Sequence, residues 1–432
     1  MNTSQLSLPV AVIGAGPVGL AAAAHLHERG LPFVLLEAGD DIADHVRDWG
    51  HVRLFSPWRF DIDPAAARLL EASGWQPPDP DAHPTGADLI EQYLAPIALL
   101  PEIAGSLRTA RRVTAVTRAW DDDVYVTGAA DVPFVVTTDG AHGVERLFAS
   151  AVIDTSGTWG QPRTLGGDGR PAIGEAEDDG SIATGIPDVL GRDRADYAGR
   201  RVAVVGSGHS AQNVIRDLVT LGRQTGVGSA TWIVRRSEPG QMFGGTTDDQ
   251  LVERGRLGSD AQALVTSGLV TLVTGFRTVE VDRGSRGITL VSDDWRQLGP
   301  FDRVIAATGA RPDLQPLRGL RLDLDPHLES TRTLAPLIDP AFHSCGSVPP
   351  HGAAELAHPE PGFYIAGAKS YGQAPSFLLA TGYEQVRSIV AALDGDDAAA
   401  ADVQLILPET GVCSLDRTEP VHAAVGADAC CS

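Results

Sequence analysis

Two glycine-rich turns, each between a short apolar run and a helical stretch, most constrain the fold of this 432-residue chain. In the first, residues 9–13 lead into Gly14-Ala15-Gly16-Pro17-Val18-Gly19, and the Ala-rich stretch 20–28 follows. A second apolar run, 33–36, ends in Glu37-Ala38. This order predicts a strand, a tight turn, a helix and a parallel strand that ends in an acid.

The glycines of the first turn have separate physical roles. Gly14 permits the tight turn, Gly16 lets the backbone approach a pyrophosphate, and Gly19 allows the helix to pack closely on the strand. The N–H groups at the start of the helix, where Pro17 lies, then face the phosphates. Glu37 can accept hydrogen bonds from both ribose hydroxyls of a dinucleotide and would repel a 2′-phosphate.

The same pattern recurs with the opposite charge at its end. Residues 201–205 lead into Gly206-Ser207-Gly208-His209-Ser210-Ala211, a helix is expected over 212–221, and the next strand, 231–234, ends in Arg235-Arg236. A guanidinium there can clamp a 2′-phosphate, which favours NADPH over NADH, although arginine on a solvated strand end is the alternative. Two such sites imply an electron relay from NADPH to a tightly held FAD.

We therefore expect an α/β fold with two Rossmann-like, three-layer ββα dinucleotide-binding domains. The predicted boundaries are 1–185 for the first part of the FAD domain, 186–310 for the NADPH domain, 311–395 for the return segment of the FAD domain, and 396–432 for a cysteine-containing tail. Further predicted elements are helices at 87–100 and 376–393, strands at 112–120, 133–138, 148–153, 302–306, 363–366 and 403–407, and a linker at 178–194.

Charge and composition exclude several classes of function. The net charge of -22 and pI near 4.8 argue against nucleic-acid partners, which need a basic face. The uncharged stretch 7–26 is too interrupted by glycine to span lipid, and no basic residue precedes it as in a secretory signal. Four cysteines make no disulfide framework in a chain of this length. We expect a cytoplasmic enzyme without a membrane partner, and its oligomeric state stays open, a homodimer included.

With two further segments, the chain resembles flavoproteins with two dinucleotide-binding domains, and among them the single-component, NADPH-using flavin monooxygenases. These segments are Thr155-Ser156-Gly157-Thr158-Trp159-Gly160-Gln161-Pro162 and Ala307-Thr308-Gly309-Ala310-Arg311-Pro312. The aromatic, Gly and His fingerprint of that group before the second turn is absent. Residues 49–58 and 367–387 resemble flavoprotein monooxygenases of bacterial arsenic-resistance gene clusters.

The resemblance implies a reaction. NADPH reduces the flavin, dioxygen adds to form a C4a-peroxyflavin, and one oxygen atom passes to a soft nucleophile, such as a trivalent organoarsenical. Disulfide reductases of this architecture carry a cysteine pair, but no cysteine lies between Glu37 and Thr308. The alternatives are a reductase or oxidase that passes electrons to the C-terminal thiols, a disulfide or a quinone, and a flavin-bearing redox or metalloid sensor.

Lys369 is the first candidate catalytic residue, because it is the single lysine among 34 basic residues. Its ammonium could stabilise reduced flavin near N1, helped by the positive end of a helix that begins near Pro375-Ser376. The alternative is a pair with a surface acid. Gly157, Thr308, Gly309 and Gly367 are expected to line the cofactors.

An aromatic stretch that contains Trp49, Phe55 and Trp58 is expected to cover the flavin, although core packing explains these rings equally well. His51 is a candidate proton donor, with a structural histidine as the alternative. Other candidate hydrogen-bond donors are Arg53 and Ser56.

The C-terminal cysteines are the last candidate site. Cys413, Cys430 and Cys431 offer neighbouring thiolates, which suit soft ions such as trivalent arsenic or mercury, although an incidental tail is the alternative. A second set, His343, Cys345, His351 and His358, fits no standard metal-ligand spacing, and a loop that lines the substrate cavity is the preferred interpretation.

Overall fold

The computed structural model describes residues 8–119, 132–141, 143–177, 179–238, 240–244, 246, 249, 251–342, 348–375 and 377–405. The strands are β1 Val10–Ile13, β2 Phe33–Leu36, β3 Leu107–Arg108, β4 Arg111–Arg118, β5 Phe134–Gly140, β6 Gly143–Ala149, β7 Ala151–Asp154, β8 Ile182–Thr184, β9 Arg201–Val205, β10 Ser229–Ile233, β11 Thr271–Val273, β12 Thr278–Gly284, β13 Gly287–Ser292, β14 Gln297–Phe301, β15 Arg303–Ala306 and β16 Phe363–Ile365. The α-helices are α1 Pro17–Glu28, α2 Asp44–Asp48, α3 Pro64–Ala72, α4 Gly86–Leu89, α5 Ala95–Leu99, α6 Pro101–Ala104, α7 Arg194–Tyr197, α8 His209–Thr225, α9 Val252–Thr266, α10 Ala335–Ile338, α11 Ala353–Leu356, α12 Leu379–Leu393 and α13 Asp397–Ala401.

The first sheet has five parallel strands in the order β16-β7-β1-β2-β3. Val10 pairs with Phe33 on one side and with Ala151 on the other, so β1 is central. Phe363 of β16 pairs with Val152 of β7, which brings the chain back to this sheet after the second one is complete. From β1 the chain continues to β2 on one side of the sheet and later to β7 on the other side. In open α/β sheets, ligands bind where the strand order reverses in this way.

Helix α1 packs between the first sheet and the neighbouring helices because its middle is made of small residues. Ala21, Ala22, Ala23 and Ala24 are fully buried. Four methyl groups allow a close approach to α12 and α3, which contact α1 on its outer side. The core of this half of the molecule therefore lies on both sides of α1, against the first sheet and against the neighbouring helices.

The second sheet repeats this arrangement with β11-β10-β9-β15-β8, again parallel. Helix α8 covers it with Val214, Ile215 and Leu218, which share a core cluster with the fully buried Trp232 of β10. Antiparallel sheets β4-β5-β6 and β12-β13-β14 form the third layer of the two halves. The predicted α/β fold class is confirmed.

Several local predictions are wrong. The strand predicted at 148–153 breaks at Ser150, because β6 belongs to an antiparallel sheet and β7 to the first parallel one. The linker predicted at 178–194 contains β8, which pairs with β15 of the second sheet although the predicted domain boundary falls later. The helix predicted at 87–100 is continuous, but residues Ile90–Leu94 form a π-helical segment.

The end of the described chain also differs from expectation. Helix α12 begins at Leu379, three residues after the predicted start, and the residue before it, Leu378, is extended. The Ala/Asp-rich segment after α12 forms α13, which packs on α12 and is capped by the Asp396 side chain. Residues 403–405 form no strand, and 406–407 lie outside the described residues. The domain boundaries themselves stay a prediction.

Candidate active site

The first glycine turn joins β1 to α1 at the carboxyl edge of the first sheet. Gly14 has φ +95°, and a Cβ on Gly19 would lie 1.8 Å from the Gly14 carbonyl oxygen, so only glycine fits at position 19. The Thr155 hydroxyl, after β7, donates to the carbonyl of Ile13 at 2.8 Å and holds the turn against the next strand end. A Cβ on Gly16 would meet nothing within 4 Å, so open space lies where a pyrophosphate would approach.

Glu37 ends β2 beside this turn and is buried. Its Oε2 accepts from the Ala15 N–H at 2.8 Å, and its Oε1 accepts from the Gly39 N–H at 2.9 Å. A carboxylate has about four lone-pair positions, so acceptor capacity remains for ribose hydroxyls. Ala38 follows at the rim, half-buried. These residues fit an FAD molecule, whose ribose carries no 2′-phosphate.

The second turn joins β9 to α8 with the same geometry. Gly206 has φ +136°, and a Cβ there would lie 2.1 Å from the Ala307 carbonyl oxygen, whereas one on Gly208 would meet nothing within 4 Å. Ser210 is half-buried and Ala211 is fully buried in the first turn of α8. The open face over Gly208 fits the pyrophosphate of a second dinucleotide.

His209, the first residue of α8, is held neutral by its surroundings. Burial lowers the pKa of His209 to about 4, the charge of Arg254 lowers it further, and Asp249 opposes both. Its ring meets that of Phe55 edge to face at 4.9 Å between centroids. This contact connects the second turn to the loop after Glu37 in the first half of the molecule.

Arg235 and Arg236 follow β10 and are both exposed. The main chain holds them at the sheet edge, because the Arg236 carbonyl accepts from the Gly275 N–H at 2.8 Å. No described residue forms a hydrogen bond or an ion pair with the Arg235 guanidinium. The arrangement fits a 2′-phosphate beside the second turn.

Lys369 does not pair with a surface acid. Its Nζ donates to Asp154 Oδ2 at 2.7 Å and to the Ser156 hydroxyl at 3.0 Å, and the side chains of Lys369 and Asp154 are each 2% exposed. Asp154 ends β7, while Lys369 lies in the 3₁₀ turn Gly367–Tyr371 after β16, the strand paired with β7. The ammonium is therefore placed at the carboxyl edge of the first sheet as half of a buried ion pair.

Four glycine and threonine positions that follow strand ends lie around the two turns. Gly157 has φ +72° and open space on its Cα. Gly367 has φ +71°, and a Cβ on it would touch Val18 in the first turn of α1 at 3.2 Å. The Thr308 hydroxyl donates to the Arg163 carbonyl at 2.7 Å, and the Gly309 carbonyl accepts from the Arg163 N–H at 2.9 Å.

A cavity of about 400 Å³ lies between the two halves of the molecule. On one side it is lined by His51, Arg53 and Phe55, and on the other by residues of α8 and α9, among them Arg216 and Leu257. This volume lies in the range of small-molecule sites, about 300–1,000 Å³. We call it the interdomain cleft.

Within the cleft, His51 and Arg53 are held differently. The Nε2 atom of His51 is buried and has no hydrogen-bond partner among the described residues. The Arg53 guanidinium donates to the His83 carbonyl, and the Arg53 main chain forms an isolated antiparallel bridge with Thr85. His51 is therefore the residue whose polar atom still needs a partner.

Ser56 and Trp58 lie behind the cleft rather than in its lining. The buried Ser56 hydroxyl donates to Asp61 Oδ1 at 2.6 Å, and Asp61 Oδ2 has no partner among the described residues. Burial raises the pKa of Asp61 to about 7, although the Ser56 hydrogen bond lowers it. Trp58 is 3% exposed and belongs to the hydrophobic core cluster that also contains the buried alanines of α1.

Several residues of the predicted sites lie outside the described residues. The undescribed positions are Ser376 of the cofactor set, His343 and Cys345 of the loop set, and the tail cysteines Cys413, Cys430 and Cys431. Of the remaining loop histidines, His351 contacts Gln385 at 2.9 Å through Nε2, and His358 Nδ1 accepts from the Asp323 N–H at 3.3 Å. No group that could hold a metal ion occurs in the described part of the chain.

Sequence reasoning missed the partners of these residues. Asp154 and Asp61 were not singled out, although Asp154 follows a predicted strand, which is a signal for a site residue.

No helix among the described residues is long and apolar enough to cross a membrane.

Two parallel sheets, each with a glycine turn, an open helix N-terminus and a distinguishing charge at its carboxyl edge, define an oxidoreductase with two dinucleotide sites. Residues 11–333 match the family model described as pyridine nucleotide-disulphide oxidoreductase, and the chain belongs to this family. The predictions of an oxidoreductase and of its fold are thereby confirmed.

The curated relatives are monooxygenases. The chain is 31% identical over 242 residues to indole-3-pyruvate monooxygenase YUCCA8 of Oryza sativa subsp. indica, covering 55% of this chain and 51% of the relative. It is 28% identical over 221 residues to YUCCA6 of Arabidopsis thaliana, covering 49% of this chain and 45% of the relative. The chain thus spans about half the length of the curated relatives that it matches.

Solved structures share the fold. Bacillithiol disulfide reductase Bdr (YpdA) of Bacillus cereus has a TM-score of 0.66 at 18% identity, with 90% of this chain and 99% of that chain covered. The cadaverine monooxygenase DfoA of Erwinia amylovora, bound to FAD, has a TM-score of 0.61 at 15% identity, with 97% and 100% covered. An ornithine N-hydroxylase of Kutzneria with FAD and NADP⁺ has a TM-score of 0.57 at 16% identity, with 91% and 98% covered. Two of these structures thus contain FAD, and one of them also contains NADP⁺.

Proposed function

We propose that this chain is an FAD-dependent monooxygenase that uses NADPH and transfers one oxygen atom of dioxygen to a small molecule. The observation that carries the proposal is the interdomain cleft, a cavity of about 400 Å³ that both nucleotide halves line. The curated relatives support oxygenation. The sequence has no cysteine between Glu37 and Thr308. That span therefore cannot supply the dithiol that a disulfide reductase needs next to one of the glycine turns.

The residues of the chain would divide the binding work. FAD and NADPH, when bound, supply hydride transfer and oxygen activation. The helix N-termini at Pro17 and His209 bind and orient the two pyrophosphates. Glu37 accepts from the FAD ribose, and Arg235 with Arg236 binds the 2′-phosphate of NADPH.

Lys369 has the role of a fixed positive charge, and His51 has the role of a proton donor. Lys369 brings a positive charge to the carboxyl edge of the first sheet, and its pair with Asp154 keeps that charge fixed when water is excluded. The Nε2 atom of His51, which has no hydrogen-bond partner in the described part of the chain, would donate a proton to the reacting oxygen at the cleft. Arg53, anchored on the His83 carbonyl, is fixed at the cleft and orients the substrate.

For the substrate, we propose a soft nucleophile, with a trivalent organoarsenical as the specific candidate. Cys430 and Cys431, with Cys413, would capture the arsenical, since adjacent thiolates prefer soft ions. The resemblance of residues 49–58 and 367–387 to enzymes of arsenic-resistance clusters supports this choice. A cytoplasmic location and a homodimer complete the proposal.

The decisive experiment measures stoichiometry with the purified FAD-loaded chain. With methylated trivalent arsenicals, NADPH and air, we expect oxygen uptake to equal NADPH oxidation and an oxygenated product to form. Hydrogen peroxide as the only product with every soft nucleophile tried, or NADPH oxidation that needs a disulfide or quinone and no oxygen, would refute the monooxygenase.

The capture role is tested separately. The double substitution C430S/C431S should weaken arsenical binding and raise the KM for the arsenical while NADPH-driven flavin reduction stays unchanged. Unchanged arsenical affinity and turnover would remove the tail from the site without affecting the proposed reaction class.

A further inference from the structure

Arg163 lies on the first of two chain segments that connect the halves of the molecule, and these segments pair with each other. Pro162 forms an isolated antiparallel bridge with Ala310, and the Arg163 N–H donates to the Gly309 carbonyl at 2.9 Å. The Arg163 carbonyl in turn accepts from the Thr308 hydroxyl at 2.7 Å. The backbone of Arg163 is therefore fixed at the carboxyl end of β15.

Three neighbouring strand ends bring Arg163 and Arg235 to one edge. β9 lies between β10 and β15, and the Gly206 N–H after β9 donates to the Ile233 carbonyl of β10 at 3.1 Å. On its other side, Gly206 lies so close to Ala307 after β15 that a Cβ would be 2.1 Å from the Ala307 oxygen. Arg235 on β10 and Arg163 beside β15 thus flank the second glycine turn.

The charges in this region are not balanced. The Arg163 guanidinium donates to a neutral group, Gln373 Oε1, at 2.5 Å, while Arg311 already has Glu329 as its partner. Burial lowers the pKa of Arg163, and the charges of Arg235 and Arg311 lower it further, with Glu329 opposing. The chain has a net charge of -22, so a local excess of positive charge is an exception in it. A bound anion would reduce the repulsion among these arginines.

We propose that Arg163 is a second guanidinium ligand of the 2′-phosphate of NADPH, reaching from the segment between β7 and β8 to the anion that Arg235 binds from the end of β10. A phosphate monoester carries about −1.5 to −2 charge and three acceptor oxygens, enough for two guanidinium forks. The pyrophosphate already has the N–H groups of the α8 N-terminus. The inference rests on the proposed function, because it requires NADPH in the second site.

The test uses two nucleotides that differ only in the phosphate at issue. FAD-loaded chain is titrated calorimetrically with adenosine 2′,5′-bisphosphate and with 5′-AMP, for the wild type, R163Q, R235Q and the double variant. R163Q should weaken binding of the bisphosphate about tenfold and leave 5′-AMP unchanged. Because both arginines bind one phosphate, the loss in the double variant should be smaller than the product of the single losses.

R318Q serves as the matched control, since Arg318 is exposed and outside this cluster, and it should bind both nucleotides as the wild type does. R163K keeps the positive charge but loses the two-donor guanidinium geometry, so we expect an intermediate loss of bisphosphate affinity. This variant provides the test if R163Q does not fold. Equal weakening of both nucleotides, or no loss in R163Q when R235Q shows one, overturns the assignment of Arg163. Failure of the wild type to bind the bisphosphate or NADP⁺ would instead contradict the proposed function.

Discussion

The two nucleotide sites share one backbone scheme but differ in how the residue at the end of the second strand is held. Glu37 is 7% exposed, and main-chain N–H groups engage both its oxygens. Arg235 is exposed, and no described residue pairs with it. A group that is locked in place before the ligand arrives loses little conformational entropy on binding. The first site therefore suits a cofactor that stays bound, and the second suits one that exchanges in every turnover.

The helices behind the two turns differ in the same sense. Helix α1 is buried along Val18–Leu26 between sheet and helices, whereas α8 buries one face, half-buries Arg216 and exposes Arg223. A change at Gly19 must therefore move a helix that is buried along most of its length, while a change at Arg235 acts on an exposed side chain. Each prediction below uses this contrast.

The largest effect is expected from G19A. The new methyl group would lie 1.8 Å from the Gly14 carbonyl oxygen and 2.8 Å from the Thr155 hydroxyl, so the turn or α1 must move. We expect at least a hundredfold loss of activity, more than about 3 kcal/mol, with loss of bound FAD. The flavin-to-protein ratio of purified enzyme is the measurement. G105A, where a methyl group meets nothing within 4 Å, is the control, and full flavin content in G19A would break the contrast.

The next largest effect is expected from K369M, which leaves the Asp154 carboxylate buried without its partner. Breaking a buried pair in this way costs about 3–5 kcal/mol, measured as the free energy of unfolding in urea. We also expect slower reduction of the flavin by NADPH. K369M/D154L, which removes both charges, should recover much of the stability but not the reduction rate. A K369M protein as stable as the wild type would show that the pair is not structural.

The comparison also shows what sequence alone could reveal. Both turns and the opposite charges of Glu37 and Arg235 were predictable, because each depends on residues within one strand–turn–helix unit. The Lys369–Asp154 pair was not, since its members are 215 positions apart and meet only because β16 pairs with β7. Lys369 was found by composition, but composition does not reveal a partner.

Other misses have physical reasons of the same kind. The split of 148–153 depends on two sheets competing for adjacent residues, which no local apolar pattern reports. β8 is three residues long and is stabilised by pairing with β15 rather than by its own sequence. Trp58 is buried in a hydrophobic core cluster through tertiary packing that its local sequence does not report. Its contact with the flavin stays a prediction.

A smaller effect, confined to one cofactor, is expected from R235Q. Losing a charge-assisted hydrogen bond costs about 1.5–3 kcal/mol, so the KM for NADPH should rise about ten- to a hundredfold with kcat nearly unchanged. The KM for NADH should not change, because that cofactor has no 2′-phosphate. Steady-state kinetics measure the KM for NADPH and the KM for NADH. An equal rise of the two values would show that Arg235 contacts a group that both cofactors share.

The smallest effect is a pH dependence in the first half of the molecule. Asp61 has a folded pKa of about 7 against an ordinary value of 3.8, chiefly because of burial. Between these values the folded chain binds a proton that the unfolded chain has lost, so this group's contribution to stability falls as pH rises from about 4 to about 7.

D61N cannot titrate and should be free of this loss. Its Tm relative to the wild type should therefore become more favourable from pH 4.5 to 7.5, by about 1 °C for each kcal/mol in a chain of this length, with at least about 1 kcal/mol expected. S56A removes the hydrogen bond that lowers the Asp61 pKa, so it should shift the wild-type loss to higher pH. Parallel Tm curves for the wild type and D61N would mean that Asp61 is ionised and paired in the native state, and that the interior behind the cleft admits water. The first nucleotide site would then be more open to water than its comparison with the second site assumes.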